Sequence, residues 1–482
     1  MDAWTRRRFL STSAVGMLGL AATSCSSSSP KTGQSAGTLT WWDNFNALQD
    51  LHAKTLQDFS AAPGGIPTKY TFYQLAKYGQ ALQLAKQSNQ QPDVHTTANL
   101  ATPLPVLIDG GWFQPLDLAD EVLARFDEDD LVDGIHRFDG KLYSFPLFSN
   151  RWHNAALWFR TELLDKVGAT PPKTFDEFRT VCGRARKAGD GVSGWVAGLN
   201  AKNPYFLVLN ALAQAAGFQG SEGLDFRTGE IRYTDDAYLQ VFELFDSLRK
   251  DKLMFAGATS SNAIQARGRW AANSGIFFFD GPYQVGSVKR DFPKALDGMG
   301  LAGLMSGDAA GSPQVYRPTA PGALYLAKSS TVAAAANKLL GSFTTPEYYA
   351  GLAAAMDQPP RDLTAVSRSE ATHPLYKELC AQYAKHTFTA PSAVVGNPDV
   401  AKVNALMKAP AADLGDIFRG VMSGEITDYR AALAKLSGQS MADREKAIKA
   451  AAAKGAQVSA DDWTFPNWKP GADYTAAMYE AR

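Results

Sequence analysis

The chain is poor in the residues that metal and thiol chemistry need. It has three cysteines and six histidines among 482 residues. Cys25, Cys182 and Cys380 stand far apart without a CxxC pair, and no HExxH occurs. Thiolates and imidazoles hold zinc in closely spaced pairs, so the pattern excludes a sequence-local zinc site and a dithiol redox motif. No metal and no cofactor are expected. Net charge is missing too, since 48 Lys+Arg balance 48 Asp+Glu. A chain without excess positive charge has no general attraction to nucleic acid, and none is expected as a partner. No GxSxG elbow, P-loop or kinase motif set is present, so no catalytic residue is assigned. The apolar stretch at residues 14–22 is too short and too rich in Gly and Ala to span a bilayer.

What is present suits an exported globular protein. Apolar residues make up 45% and charged residues 20%, and the length allows two domains with their own cores. Thr5-Arg6-Arg7-Arg8-Phe9-Leu10 matches the twin-arginine export consensus, and the apolar stretch follows it. Cys25 comes directly after the small residues Ala22-Thr23-Ser24, as in a lipobox, although Ala22 replaces the usual Leu. Cys25 is the expected lipidation site; an ordinary signal with an incidental cysteine is the rival reading. The serine-rich run after it suits a flexible tether. Residues 1–35 are therefore an address and a leash, set aside from the fold.

From residue 38 onward the pattern is α/β. Thr38-Leu39-Thr40-Trp41-Trp42 reads as a first strand, residues 68–73 as a second and 92–97 as a third. Leu48, Leu51, Leu56 and Phe59, then Tyr78, Leu82 and Ala85, mark the helices between them. Strand–helix alternation implies a parallel sheet, and ligands bind beyond the carboxyl ends of such strands. Trp42, Asp43, Asn44 and Phe45 sit at the first such end and Asn99 near the third. Strand alternation also sends Trp41 or Trp42 into a core, and Asn99 could cap a helix instead. Tyr78 could reach the cleft or pack inward from its helix. Ser149, Asn150 and Trp152 form a polar run with an aromatic just before a second α/β region, where a cleft wall or a solvated hinge would fit. In that region residues 154–159 and 274–279 read as buried strands, and Thr174 with Glu177 as a capping box. The Ala run at 450–453 reads as part of a surface helix.

The later motifs, in order, resemble those of extracellular sugar-binding proteins of ABC importers, the family-1 solute-binding proteins. Residues 139–146, Asp-Gly-Lys-Leu-Tyr-Ser-Phe-Pro, resemble the family's DGKLYGxP. Residues 157–164 resemble LYYNKDLL, with Arg160 where Asn is common, and 168–178 are similar to GxxPPKTWDEF. Phe279-Asp280-Gly281-Pro282-Tyr283 resembles the DGPW turn, and residues 322–347 and 359–362 the late strand, helix and arginine turn. The resemblance implies a periplasmic-binding-protein-like fold of two lobes joined by hinge crossovers. Lobe one would be 36–150 with about 315–360, and lobe two 151–314 with about 361–482. It implies a ligand contact from Tyr283 as a stacking ring, and from Gly322 where backbone nears the solute, unless that glycine is simply a turn; Asp280 could touch the solute or orient the turn, and Arg361 could bind it or lock the lobes.

The resemblance further implies capture of a carbohydrate-like solute and its delivery to an ABC importer permease. The protein would be a monomer held by a lipid at the outer face of the cytoplasmic membrane. Two alternatives stay open. A polyol phosphate could meet Arg151 and Arg361, and an Asp/Glu pair could make the chain a secreted carbohydrate-active enzyme.

Overall fold

The computed structural model describes residues 37–482 apart from 101, 128–129, 202–204 and 309–311. The export signal and Cys25 lie outside the described residues.

The first sheet has the strand order Tyr325–Leu326, Val94–His95, Leu39–Asp43, Thr68–Phe72. Its three N-terminal strands pair in parallel, as the alternation with helices Gln49–Ala61 and Leu75–Gln87 predicts. Tyr325–Leu326 joins antiparallel after a long excursion of the chain. Along Leu39–Asp43 every second residue is buried, so Leu39, Trp41 and Asp43 face inward.

The second sheet has the order Met299–Gly303, Ala156–Arg160, Gly275–Asp280, Ser193–Val196. All six residues of Gly275–Asp280 are buried, because helices cover both faces. Phe277 and Phe279 enter one core with Phe178, while Phe278 stacks on Trp270 in another, ring centroids 5.9 Å apart. Helix Phe175–Ala188 starts at Thr174, whose hydroxyl accepts the Glu177 N–H at 3.2 Å. The expected capping box is not closed, since the Glu177 carboxylate accepts from the Lys173 N–H at 2.7 Å instead.

As a separate two-stranded ribbon, Val315–Arg317 runs parallel to Thr387–Thr389. A third core surrounds this ribbon, with Phe226, Tyr316, Val400, Val403, Trp463, Phe465 and Trp468. Ala447 and Ala451, four apart on helix Tyr429–Ala452, are buried in it, so the alanine run is partly core rather than surface. Cys182 and Cys380 are free and buried, and burial raises both thiol pKa values.

The two sheets meet along helix Gln284–Asp291. A Cβ on Gly286 would lie 2.2 Å from the Ala355 carbonyl oxygen, so only glycine lets the backbones approach this closely. Asn46 donates to Asp291 across the seam at 2.9 Å. Asp357 lies in the seam 3% exposed, and its carboxylate accepts the Gln358 N–H at 2.8 Å. Burial pushes its pKa up to about 6. A raised carboxyl pKa favours the folded state fully below the ordinary aspartate value, and that contribution is lost as pH rises through about 6. Buried His95, His136 and His153, with pKa values lowered by desolvation, act in the opposite sense. Asp357→Asn isolates the carboxyl. Relative to wild type, the variant should gain stability between pH 4 and 6 by at most roughly 3 kcal/mol. Melting curves across that range test this, and parallel pH profiles for the two proteins would refute it.

Candidate functional site

Beyond the carboxyl ends of the first sheet opens a cleft of about 1270 Å³. The first strand leads into it through Asn44 and Phe45, and the third through Thr96, Thr97 and Ala98. These positions are held from behind by Asp43. Its buried carboxylate accepts the Trp41 indole N–H at 2.8 Å, the Tyr70 hydroxyl at 3.0 Å and the Phe45 N–H at 3.2 Å, and pairs with His52 at 2.6 Å. Thr96 donates to the Asn44 amide oxygen at 2.9 Å and so sets the orientation of that amide.

A second wall comes from the segment that runs toward the second sheet. Ser149, Asn150, Arg151 and Trp152 line the cleft, and Phe148 meets Phe45 edge to face at 5.1 Å. The Arg317 guanidinium lies 3.7 Å from the Trp152 ring centroid and donates to the Trp152 carbonyl at 3.2 Å. Burial lowers the Arg317 pKa to about 10, which leaves it charged at neutral pH. Gly322 lines the cleft because its backbone runs against that of Phe145; a Cβ would sit 2.4 Å from the Phe145 carbonyl carbon. Arg361 lines it too, with its guanidinium engaged by Asp130 at 2.5 Å, the Arg125 carbonyl at 2.8 Å and the Tyr349 hydroxyl at 3.2 Å. His136 stays neutral, its pKa pushed down to about 4 by desolvation. Among the described residues, no group of His, Cys, Asp and Glu comes together to hold a metal ion.

The profile of the bacterial extracellular solute-binding protein family matches residues 54–378. The chain belongs to this family. A search of curated protein sequences finds no match. Among solved structures the fold recurs in a Thermotoga lettingae ABC transporter solute-binding protein bound with α-D-tagatose. That protein is 16% identical, with 85% of this chain and 99% of that one covered and a TM-score of 0.64. The GacH receptor of Streptomyces glaucescens, solved with acarbose, is 18% identical with the same coverage and a TM-score of 0.62. A sugar transporter protein from Arthrobacter chlorophenolicus with bound laminaribiose is 17% identical, with 86% and 99% covered and a TM-score of 0.61. The two-lobed fold of periplasmic solute-binding proteins is thus the fold of this chain.

In this solute-binding protein, Asn44, Phe45, Ser149, Asn150, Trp152, Gly322 and Arg361 share the cleft, while the other candidates lie elsewhere. Trp42 packs on Tyr73, centroids 4.6 Å apart. Asp43 is fully buried behind the cleft. Tyr78 is buried, donating to the Trp42 carbonyl at 3.0 Å. Asn99 caps no following helix; at φ 57° it turns back and donates to the Leu75 carbonyl at 2.7 Å. Asp280 is spent on Arg267, which donates twice at 3.0 and 2.6 Å, and on the Gly281 N–H at 2.9 Å. Tyr283 begins the seam helix Gln284–Asp291, accepts from Asn154 at 3.3 Å and lies beside Arg267. After the Asp280-Gly281-Pro282 turn, Tyr283 is thus not among the residues that line this cleft.

Sequence reading missed Arg317 and the C-terminal residues Asp473, Tyr474, Thr475 and Tyr479, all of which line the cleft. Arg317 belongs to no motif. The tail could have been suspected only from the aromatic run Phe465-Pro466-Asn467-Trp468 just before it. Asp280→Ala should cost about 3–5 kcal/mol of stability, because it strands the buried Arg267 charge. Denaturant unfolding measures this, and a loss under about 1 kcal/mol would rule the pair out as the anchor of this turn.

Proposed function

We propose that the chain is an exported sugar receptor that captures a neutral oligosaccharide in this cleft and hands it to an ABC importer permease. The supporting observation is Trp152, a half-buried ring at the cleft wall with Arg317 against it. A sugar needs apolar faces for its C–H surfaces and fixed polar groups for its hydroxyls. Phe45 and Trp152 offer the first, and Asn44, Asn150 and Ser149 the second. Arg151 and Arg361, the candidates for a phosphate, already hold Asp473 and Asp130. That favours an uncharged ligand over a polyol phosphate. The sugars named with the structural neighbours support the same class. We take the protein as a monomer whose lobes, divided as the sequence implies, close about the crossovers that flank Trp152. Cys25 would carry the lipid that keeps it at the membrane's outer face, and no catalytic step is proposed.

Calorimetry against laminaribiose, maltotriose, acarbose and glycerol 3-phosphate tests the ligand class. We expect a neutral sugar to bind best, with no product formed. Trp152→Ala should weaken binding by about tenfold to a hundredfold, the worth of one stacked ring at about 1–3 kcal/mol. Preference for the phosphate, or turnover of an oligosaccharide, would defeat the proposal.

Fractionation of cells tests the anchor separately. Cys25→Ser should move the protein from membranes into the soluble fraction, and unchanged retention would show that something else holds it.

A further inference from the structure

We infer that the C-terminal segment 473–480 is a built wall of the ligand cleft, with Asp473 as the residue that positions it. This rests on the reading of the cleft as a sugar site. The segment lies beyond residues 54–378, where the family profile matches.

The segment is anchored from behind. Phe465 and Trp468 are 0% and 1% exposed in the third core. The Trp468 ring lies 5.2 Å from Phe226 and 5.0 Å from Tyr316, and the Phe465 N–H donates to the Phe226 carbonyl at 2.6 Å. Gly471, at φ 76°, turns the chain and donates its N–H to the Tyr316 hydroxyl at 3.2 Å. A side chain there would be strained, so the turn is fixed by its residue type.

Past that turn the chain meets the crossovers. Asp473 accepts Arg151 at 2.5 Å through one carboxylate oxygen and the Thr389 N–H at 2.8 Å through the other. The Tyr474 N–H donates to the Thr389 carbonyl at 2.9 Å, and Arg151 also donates to the Thr387 carbonyl at 2.6 Å. One carboxylate thus ties three pieces of chain together: the tail, the ribbon strand Thr387–Thr389, and the crossover that carries Trp152. Tyr479 completes the bracing by accepting the Ser392 N–H at 2.8 Å. Among the groups that the segment gives to the cleft lining are a hydroxyl, Thr475, and a carboxylate, Glu480. Hydroxyl-rich ligands are recognised by such groups.

The Arg151–Asp473 pair is about one-third exposed on each side, at 32% and 37%. Pairs that accessible add little to stability. Losing this one should therefore show in binding more than in melting.

The test uses the full-length protein and the sugar from laminaribiose, maltotriose and acarbose that it binds best. Asp473→Asn should weaken binding about tenfold with a nearly unchanged melting temperature, and Glu480→Gln should weaken it by a smaller factor. The positioning role has its own readout. If Asp473 acts through Trp152, then Asp473→Asn added to Trp152→Ala should cost little beyond Trp152→Ala alone. Wild-type affinity in both tail variants, or a full additive loss in the double variant, would overturn the inference while leaving the sugar reading intact. If wild type binds none of the sugars, the sugar reading itself falls and this wall with it.

Discussion

Both central strands of the molecule end in a buried aspartate, and the cleft depends on how those two charges are satisfied. Leu39–Asp43 ends in a carboxylate 0% exposed, and Gly275–Asp280 in one 8% exposed. An unpaired carboxylate in such a place would cost several kcal/mol or force protonation. Neither is left unpaired. Asp43 collects an indole, a phenol, an imidazole and a backbone N–H, while Asp280 collects a guanidinium twice and a backbone N–H. Each set of bonds fixes the direction in which the chain leaves the strand. After Asp43 it leaves toward the cleft, through Asn44 and Phe45. After Asp280 it leaves toward the seam, through Tyr283.

That difference explains what the sequence revealed and what it hid. The strands and helices were legible because hydrophobic period reports burial directly: Leu39 and Trp41 alternate inward, and the unbroken Ile-Phe-Phe-Phe run marks a strand covered on both faces. The cleft position of Asn44 and Phe45 was legible from the rule that ligands collect at strand ends. The same rule named Asp43, and the family-like turn named Asp280, because a polar residue at a strand end looks alike whether it faces solvent or a buried partner. Their partners, Tyr70 and Arg267, lie 27 and 13 residues away, and no local pattern announces them.

The tail was hidden for the same reason at longer range. Asp473 meets Arg151 across 322 residues of chain, and neither residue belongs to a recognisable motif. Aromatic burial in the third core is what brings them together. Phe465 and Trp468 bury large apolar surfaces, and that burial holds in place a short segment that ends in the helix Ala476–Glu480. The modest exposed ion pair then needs only to select an orientation.

On the proposed reading, the electrostatics of the cleft also choose the ligand. Its lining includes arginines and aspartates, and two of these arginines are already paired: Arg151 with Asp473, Arg361 with Asp130. An anionic solute would have to displace a carboxylate already in place, and the displaced carboxylate would then need a new partner. Arg317 is spoken for differently, since its guanidinium lies against Trp152 and its donor meets a backbone carbonyl. A neutral polyol faces no such exchange. Its hydroxyls trade water for fixed amides and hydroxyls at a net gain of about 1 kcal/mol per bond, and its C–H faces gain from the rings. Charges that are paired before the ligand arrives therefore act as scaffold, and what discriminates among ligands is left to the aromatic faces, the neutral polar groups and the Glu480 carboxylate of the tail.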